Sequence, residues 1–475
     1  MSRVPAPTRR KTATLGILLG LLLSALDSTL VATALPIILE KLDGFTLYFL
    51  PNAAFMLLQT VSMPLWGRFS DLYGRRGFHL AAVAILLAGS AVCGLSTTMA
   101  LLTAGRAVQG LGAGGVMSLS FIMIADLYPG EQRAKMQGAI SSVWGIAALA
   151  GPLLGGWLAQ SYSWQWIFWI NIPIGVAAAA VVQYAWESQP LPGRGKPDLA
   201  GAALLALASA AALVGFGAAG REGWSHPLAA GGLGAMAVFA VILVLVERRQ
   251  PEPFIAYDLF RSRLFAAGAA TGVCAMVAMF DAIQHVPLLV VGVLQRTPKT
   301  GGLMLACMMV PWMACSGAAR PLIKRLGFRG LGVTGLAFAA GAYAVLLSVE
   351  LSSGLGTVVV AMVLLGTGLG LTVAPLLIAA QNGAPRDRLG AATSLTQFTR
   401  SMGSFIFLAI IATLFLAPFG GKEPQGIVDF ASKRDPEQLR ALVAPLQEGL
   451  RHAFHGGLGA SLVGILVAFA IPREK

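Results

Sequence analysis

Residues 15–39 read LGILLGLLLSALDSTLVATALPIIL. About 20 apolar residues, rising 1.5 Å each, are enough to cross the hydrocarbon core of a bilayer, and the single charge in this run is Asp27. A carboxylate inside a span costs about 2.5–3.5 kcal/mol on insertion scales. It persists there only with a partner, a wet cavity or a proton. The stretch therefore implies that the chain enters a membrane and that its first span carries a group able to take up and release a proton.

The rest of the chain agrees. Of 475 residues, 56% are hydrophobic and only 12% charged, with a mean hydropathy of +0.74. A soluble domain carries about 25% charge, so the expected class is an all-α polytopic membrane protein. The 57 glycines suit helices that approach closely in lipid. The net charge of +13 lies in short loops, which marks topology and not a nucleic-acid surface. Cys93, Cys274, Cys307 and Cys315 all fall in apolar runs and show neither a disulfide framework nor metal-ligand spacing. Arg9-Arg10-Lys11 before a full-length span reads as an uncleaved first helix with a cytoplasmic N-terminus.

Fourteen apolar runs are expected to span: 15–39, 47–69, 78–96, 100–125, 134–159, 165–186, 199–219, 228–246, 263–294, 301–320, 331–350, 355–380, 390–417 and 452–471. With both termini inside, the inner loops collect Arg68, Arg75, Arg76, Arg133, Lys135, Arg248, Arg249, Arg320, Lys324 and Arg325, and the outer loops stay poor in basic residues until the last. Twelve spans would require two of the runs to be re-entrant. The glycine-rich segment Gln109-Gly110-Leu111-Gly112-Ala113-Gly114-Gly115 is echoed by Gly366-Thr367-Gly368-Leu369-Gly370. The chain thus divides into an N-terminal six-helix bundle (12–187), two inserted spans (188–250) and a C-terminal six-helix bundle (251–475) with an outer hairpin at 418–451. Six-helix repeats around a midplane site are a transporter architecture.

Four motifs follow in order. The loop Gly67-Arg68-Phe69-Ser70-Asp71-Leu72-Tyr73-Gly74-Arg75-Arg76 has glycines for a tight turn and an acid beside arginines, the makings of a cytoplasmic latch. Arg106-Ala107-Val108-Gln109-Gly110 places an arginine inside a span. Gly138, Gly151-Pro152-Leu153-Leu154-Gly155 and Gly156 make a small-residue helix with a proline bend. Leu26-Asp27-Ser28-Thr29 leads to Ala34-Leu35-Pro36 in the first span.

Together these motifs resemble the signatures of the major facilitator superfamily: Gly-x-x-x-Asp-x-x-Gly-Arg-(Arg/Lys), Arg-x-x-Gln-Gly, the fifth-helix pattern of its exporters, and the Leu-Asp-x-Thr…Ala-Leu-Pro of its fourteen-span drug:proton antiporter branch. Two positions depart from those patterns: Ala147, usually Gly, and Ala32, usually Asn. The resemblance implies a major-facilitator fold, location in a bacterial inner (plasma) membrane, and proton-coupled export. It leaves the substrate open among drugs, dyes, lipids and siderophores, and it links Arg106 to proton transfer from the first helix.

Candidate residues carry two readings each. Asp27 lies about 18 Å into its span and is either a titrating proton carrier or half of a permanent ion pair. Arg400, at similar depth in the thirteenth span, is a candidate counter-charge, as is Arg106, which is otherwise a strut to backbone carbonyls. Asp281 and His285 stand four apart, on one helix face, and form either a second protonation site or the wall of an outer vestibule; at His285 the family pattern suggests Tyr. Met276, Met279, Phe280 and Trp312, with Gln109, are candidates for a soft substrate cavity or plain core. Asn52, Gln59 and Asn171 read as helix–helix hydrogen bonds. Leu439, Leu442, Val443, Leu446 and Leu450 form an amphipathic stripe broken by Pro445, suited to a membrane surface, a periplasmic partner or a solvated hairpin.

The function expected is secondary export of lipophilic or amphipathic compounds against inward-moving protons by alternating access. It needs no cofactor beyond the proton gradient, and the carrier is expected to be a monomer. No Gly-x-x-x-x-Gly-Lys-(Ser/Thr) loop is present for a nucleotide. With five histidines and no His-Glu-x-x-His, an intramembrane enzyme is not expected, and the internal repeat argues against a channel. The alternative among carriers is an exporter of lipids or glycolipids to the cell envelope.

Overall fold

The computed structural model of the protein describes residues 7–42, 50–128, 131–187, 199–249, 257–351, 353–385, 388–419 and 436–472. Helices α1 (Pro7–Leu42), α2 (Leu50–Tyr73), α3 (Arg75–Gly94), α4 (Met99–Leu127), α5 (Glu131–Ser161), the single turn α6 (Trp166–Trp169), α7 (Asn171–Ala185), α8 (Leu199–Glu222) and α9 (Pro227–Glu247) come first. They are followed by α10 (Arg263–Leu288), α11 (Pro298–Gly317), α12 (Ala319–Leu347), α13 (Leu355–Asn382), α14 (Leu389–Leu416) and α15 (Pro436–Ala468). Among the described residues, ten helical stretches are long and apolar enough to cross a membrane: those of α1, α3, α4, α6 with α7, and α9 through α14. Helices α2 and α15 fall short of that standard, and in α5 and α8 the apolar stretches among the described residues are Gly138–Ala147 and Ala203–Phe216. In α2, Asn52, Gln59, Arg68 and Asp71 dilute the apolar run.

The chain forms two compact units. One comprises Met1–Ala206, Ile242–Leu259 and Ala384–Phe398; the other comprises Leu207–Val241, Phe260–Gly383 and Thr399–Lys475. In the first, α1 packs on α4, α5 and α7, α4 on α2 and α3, and α3 on α7. In the second, α10 packs on α13 and α15, α13 on α11 and α12, and α12 on α15. Apart from the packing of α1 on α5, the same scheme is drawn twice.

The glycine echo sets the register of that scheme. Gly110 and Gly114 of α4 lie directly on the backbone of Phe55 and Gln59 in α2, and Gly112 lies on Ala82 and Leu86 in α3. Gly366 and Gly370 of α13 lie in the same way on Met308 and Trp312 in α11, and Gly368 on Gly335 and Ala339 in α12. A constant offset of 253 residues relates Phe55 to Met308, Gln59 to Trp312, Ala82 to Gly335 and Leu86 to Ala339. At these crossings a Cβ would overlap the neighbouring main chain, so only glycine lets the helices approach. Close approach of this kind is what holds helices together in lipid, where no hydrophobic force separates protein from solvent.

The run 263–294, long enough to tilt or break and holding Pro287, does break, whereas the outer segment differs from the expectation. The segment 263–294 does not continue as one α-helix: α10 ends at Leu288, just after Pro287, and runs into a π-helical turn, Leu289–Val293. A proline removes one backbone donor, and the widened turn accommodates the loss. The outer segment 418–451 is not a hairpin set apart from the last span, because α15 runs from Pro436 through Pro445 into it. Leu446 and Leu450 are buried and Gly449 seats against Phe415, so packing within the second unit carries the helix past the proline. Residues 420–435 lie outside the described segments.

Candidate functional site

Asp27 sits in α1 at the centre of a closed polar cluster in the first unit. Both Asp27 and Arg106 are only 1% exposed. The Arg106 Nη1 donates to Asp27 Oδ2 at 2.5 Å. Gln109 Nε2 and Asn171 Nδ2 donate to Asp27 Oδ1 at 2.9 and 2.7 Å. The same two amides reach Ser90 Oγ at 2.6 and 3.0 Å, and Arg106 Nη1 reaches Gln109 Oε1 at 3.0 Å. Helices α1, α3, α4 and α7 therefore each give at least one polar side chain to one site. The Arg106 guanidinium lies over the Phe55 ring, 4.0 Å from its centre, a stacking that suits a planar, weakly hydrated cation.

The cluster answers the cost of burial. A carboxylate out of water is tolerated when it is paired and its lone pairs are satisfied. Here the charge-assisted bond to Arg106 neutralises it and two amides hold the second oxygen. Gln109, expected in a substrate cavity, belongs to this cluster, and its amide is committed to Asp27 and Ser90. Asn171, expected as a helix strut, is a direct partner of Asp27. Ser90 was not singled out at all: a serine in an apolar helix leaves no mark in hydropathy. Next to the cluster, Thr29 donates to the Ala147 carbonyl at 3.1 Å, and Gly151 leaves room for the same threonine. The small residues of α5 thus seat α1 within the first unit, with Gly138 and Gly155 buried as well; the side chains at Pro152 and Gly156 lie outside the description.

The loop between α2 and α3 forms a second network in this unit. Gly74 takes a φ of 103°, a left-handed conformation that favours glycine, and so turns the chain between the helices. Arg75 pairs with Asp71, and also donates to Ser70 Oγ at 2.8 Å and to Asp126 Oδ2 at 3.0 Å. Asp71 Oδ2 accepts the backbone N–H of Ala391 at 2.9 Å, in the first turn of α14, where unsatisfied donors favour an anion. Gly67 and Gly390 make the crossing close: a Cβ on the first would strike Ser394, and on the second the Asp71 carboxylate. Burial pushes the Asp71 carboxyl, beyond the apolar stretch 47–69, up from its usual range, against the pull of Arg75 and the Ala391 amide. Arg76 is half-buried.

The remaining candidates lie in the second unit. Arg400 is buried, donates from Nη2 to the Val373 carbonyl at 3.1 Å and packs on Gly272. His285 Nδ1 lies 2.8 Å from Asp281 Oδ1 and 3.0 Å from the Asp281 carbonyl oxygen. Met279 and Trp312 are buried, while Met276 and Phe280 are half-buried. The cysteines form no disulfide, and among the described residues no group of His, Cys, Asp or Glu is placed to hold a metal.

Residues 17–408 match the Major Facilitator Superfamily. The chain belongs to the major facilitator superfamily. It is similar to the multidrug transporter protein MdtP of Bacillus subtilis, with 29% identity over 448 residues, 94% of this chain and 83% of that one. It is also similar to multidrug resistance protein 3 of the same organism, with 32% identity over 422 residues, 87% of this chain and 81% of that one. Among solved structures, the human organic anion transporter MFSD10 (TETRAN) shares the fold, with a TM-score of 0.68 at 18% identity, covering 98% of this chain and all (100%) of that one. The chain is therefore a multi-pass membrane transporter of all-helical major-facilitator fold, with relatives named for multidrug transport and multidrug resistance.

Proposed function

We propose that this protein is a proton-coupled antiporter that exports lipophilic or amphipathic compounds across a bacterial inner membrane. The observation that carries the proposal is the Asp27–Arg106 pair, a buried acid on the first helix with a permanent counter-charge. Arginine does not give up its proton, so Asp27 is the member of the pair that titrates. Protonating it removes the charge that holds Arg106 and weakens the grip of α4 on α1. Losing the proton restores the pair. A carboxyl that alternates between these states converts proton entry into movement between helices, and alternating access follows without a nucleotide.

The chain spans the membrane fourteen times with both termini in the cytoplasm, as two six-helix bundles (12–187 and 251–475) with two inserted helices (188–250). Asp71, Arg75 and Arg76, with Gly67 and Gly74, form the cytoplasmic latch. Arg400 provides a further buried cation for the transport cycle. The likeness to multidrug transporters supports a broad, greasy substrate range.

The test is transport of ethidium by the purified protein in proteoliposomes. An imposed proton gradient should drive ethidium against its concentration, and a protonophore should abolish the uphill phase. Uphill transport that ignores the protonophore would overturn the proposal. A reporter fused after Lys475 that is active only outside the cytoplasm would overturn the topology.

A further inference from the structure

The two units place their buried acids on matching helices: Asp27 of α1 and Asp281 of α10 lie 254 residues apart, within one residue of the 253-residue offset. Ser90 of α3, beside Asp27, corresponds at 253 residues to Tyr343 of α12, and Tyr343 lies beside Asp281. Helices α1 and α10 hold the same place in the packing scheme. One carries Asp27 and the other Asp281, and each acid is fully or almost fully buried, at 1% and 0% exposed. The partners do not correspond. On α13, whose Gly366 matches Gly110 of α4, the positions of Arg106 and Gln109 are taken by Met362 and Leu365, both buried. Where α7 offers the Asn171 amide to Asp27, α15 offers Gly457 to Asp281.

We propose that Asp281 with His285 is a second proton-binding site, the second unit's copy of the Asp27 site, and that it holds a proton in the buried arrangement in which Asp27 holds none.

Charge separates the two sites. Asp27 and Arg106 sum to zero when the acid is ionised, so that site is neutral when empty. Among the described residues, the ion-pair partner of Asp281 is His285 and not a permanent cation. The Tyr343 hydroxyl donates to the Ala278 carbonyl at 2.5 Å and also lies within hydrogen-bonding reach of the Asp281 carboxyl, but it brings no charge. From α14 comes the Phe415 ring, 5.2 Å from the imidazole, and from α15 only Gly457. Arg400 packs on α10 at Gly272, nine residues and about 14 Å along the helix from Asp281. Tyr343 and His285 are thus the titratable groups that the described contacts place beside Asp281. His285 Nδ1, 2.8 Å from Asp281 Oδ1, and the Tyr343 hydroxyl are the polar groups beside the carboxyl, and neither is a permanent charge. The pair is neutral only with one proton, carried on the carboxyl or on the imidazole. A buried carboxylate without such compensation takes up a proton instead of staying charged. The surroundings also fit a proton better than an organic cation: the Tyr343 ring and Asp281 Oδ2 fill the space that a side chain at 457 would occupy, so the carboxyl is closed over.

This inference rests on the reading of the chain as proton-driven, and its test is separate from that of Asp27. Replacing the imidazole in full-length purified protein leaves the carboxyl as the proton's only home. Infrared spectra of His285→Gln at neutral pH should show a buried carboxylic-acid band that is lost in His285→Gln/Asp281→Asn and kept in His285→Gln/Asp27→Asn. Identical spectra for His285→Gln and His285→Gln/Asp281→Asn would overturn the proposal. The band in the Asp27→Asn background reports on Asp281 whatever Asp27 does. Should His285→Gln not fold, alkaline titration of Asp281→Asn should release about one proton per chain fewer than wild type, and an unchanged count would overturn the proposal equally. Ethidium binding to Asp281→Asn should match wild type. Loss of ethidium binding with unchanged proton release would assign the site to an organic cation and overturn it.

Discussion

Arg106 holds the Asp27 carboxylate at 2.5 Å while its guanidinium face rests on the Phe55 ring. Its Nη1 serves both Asp27 and Gln109, and its Nε has no partner among the described residues. The arginine is therefore fixed from three helices. A charge that cannot leave beside one that can is an arrangement suited to coupling. A structural strut would serve as well with two amides.

Asp27→Asn keeps the shape of the cluster and removes the proton. We expect folded protein that binds ethidium and does not pump it uphill in proteoliposomes. Arg106→Ala should be worse for the fold. Removing one partner of a buried pair costs about 3–5 kcal/mol because the other charge is left uncompensated. The double variant Asp27→Asn/Arg106→Ala should recover part of that loss in thermal unfolding. If the double variant is no more stable than Arg106→Ala, the two residues are not energetically coupled.

How much of this was legible in the sequence depends on cost. Asp27 and Arg106 were conspicuous because a charge inside a span is expensive and so stands alone among apolar residues. Asp281 and His285 were paired by helical spacing, which needs no tertiary knowledge. The glycine echo was visible because glycine at a helix crossing has no substitute. Asn171 and Ser90 were not assigned to Asp27: uncharged polar residues are common in spans, and a one-dimensional depth says nothing about which way a side chain faces. Arg400 was singled out by depth alone, and depth does not name the Val373 carbonyl to which its Nη2 donates or the Gly272 on which it packs. Pro445 suggested a break because the rule against proline in a helix takes no account of packing, and buried Leu446 and Leu450 outweigh it.

The latch can be tested from both sides. Asp71→Asn should impair ethidium transport severalfold while leaving the melting temperature near wild type, because an amide still fits the space but no longer answers Arg75 or the α14 N-terminus. Gly390→Ala should reproduce the defect from the opposite helix by pushing a methyl group against the Asp71 carboxylate. Wild-type transport rates in both variants would remove any role for this contact.

The repeated helix crossings predict paired sensitivity. Gly110→Val and Gly366→Val each drive a side chain into the backbone of the facing helix, at Phe55 and at Met308. Overpacking in a tight interior costs about 1–3 kcal/mol or more, so both variants should melt at lower temperature than wild type. Gly302→Val, where a Cβ would meet nothing within 4 Å, should be close to neutral. Similar melting temperatures for all three would mean that close approach at these glycines contributes little.

His79 predicts a gain. It lies on α3, one turn beyond Arg75, fully buried against Gly20 of α1, and neither ring nitrogen has a partner among the described residues. A buried polar group left unsatisfied costs about 1–3 kcal/mol, whereas an apolar side chain of similar size in the same space carries no such penalty. His79→Leu should therefore raise the melting temperature. It should leave ethidium transport unchanged, since no contact of His79 reaches Asp27 or Asp71. A lower melting temperature would show that the imidazole has a partner in the membrane, such as an ordered water. A loss of transport with an intact fold would make His79 a station for the proton between Asp27 and the cytoplasm.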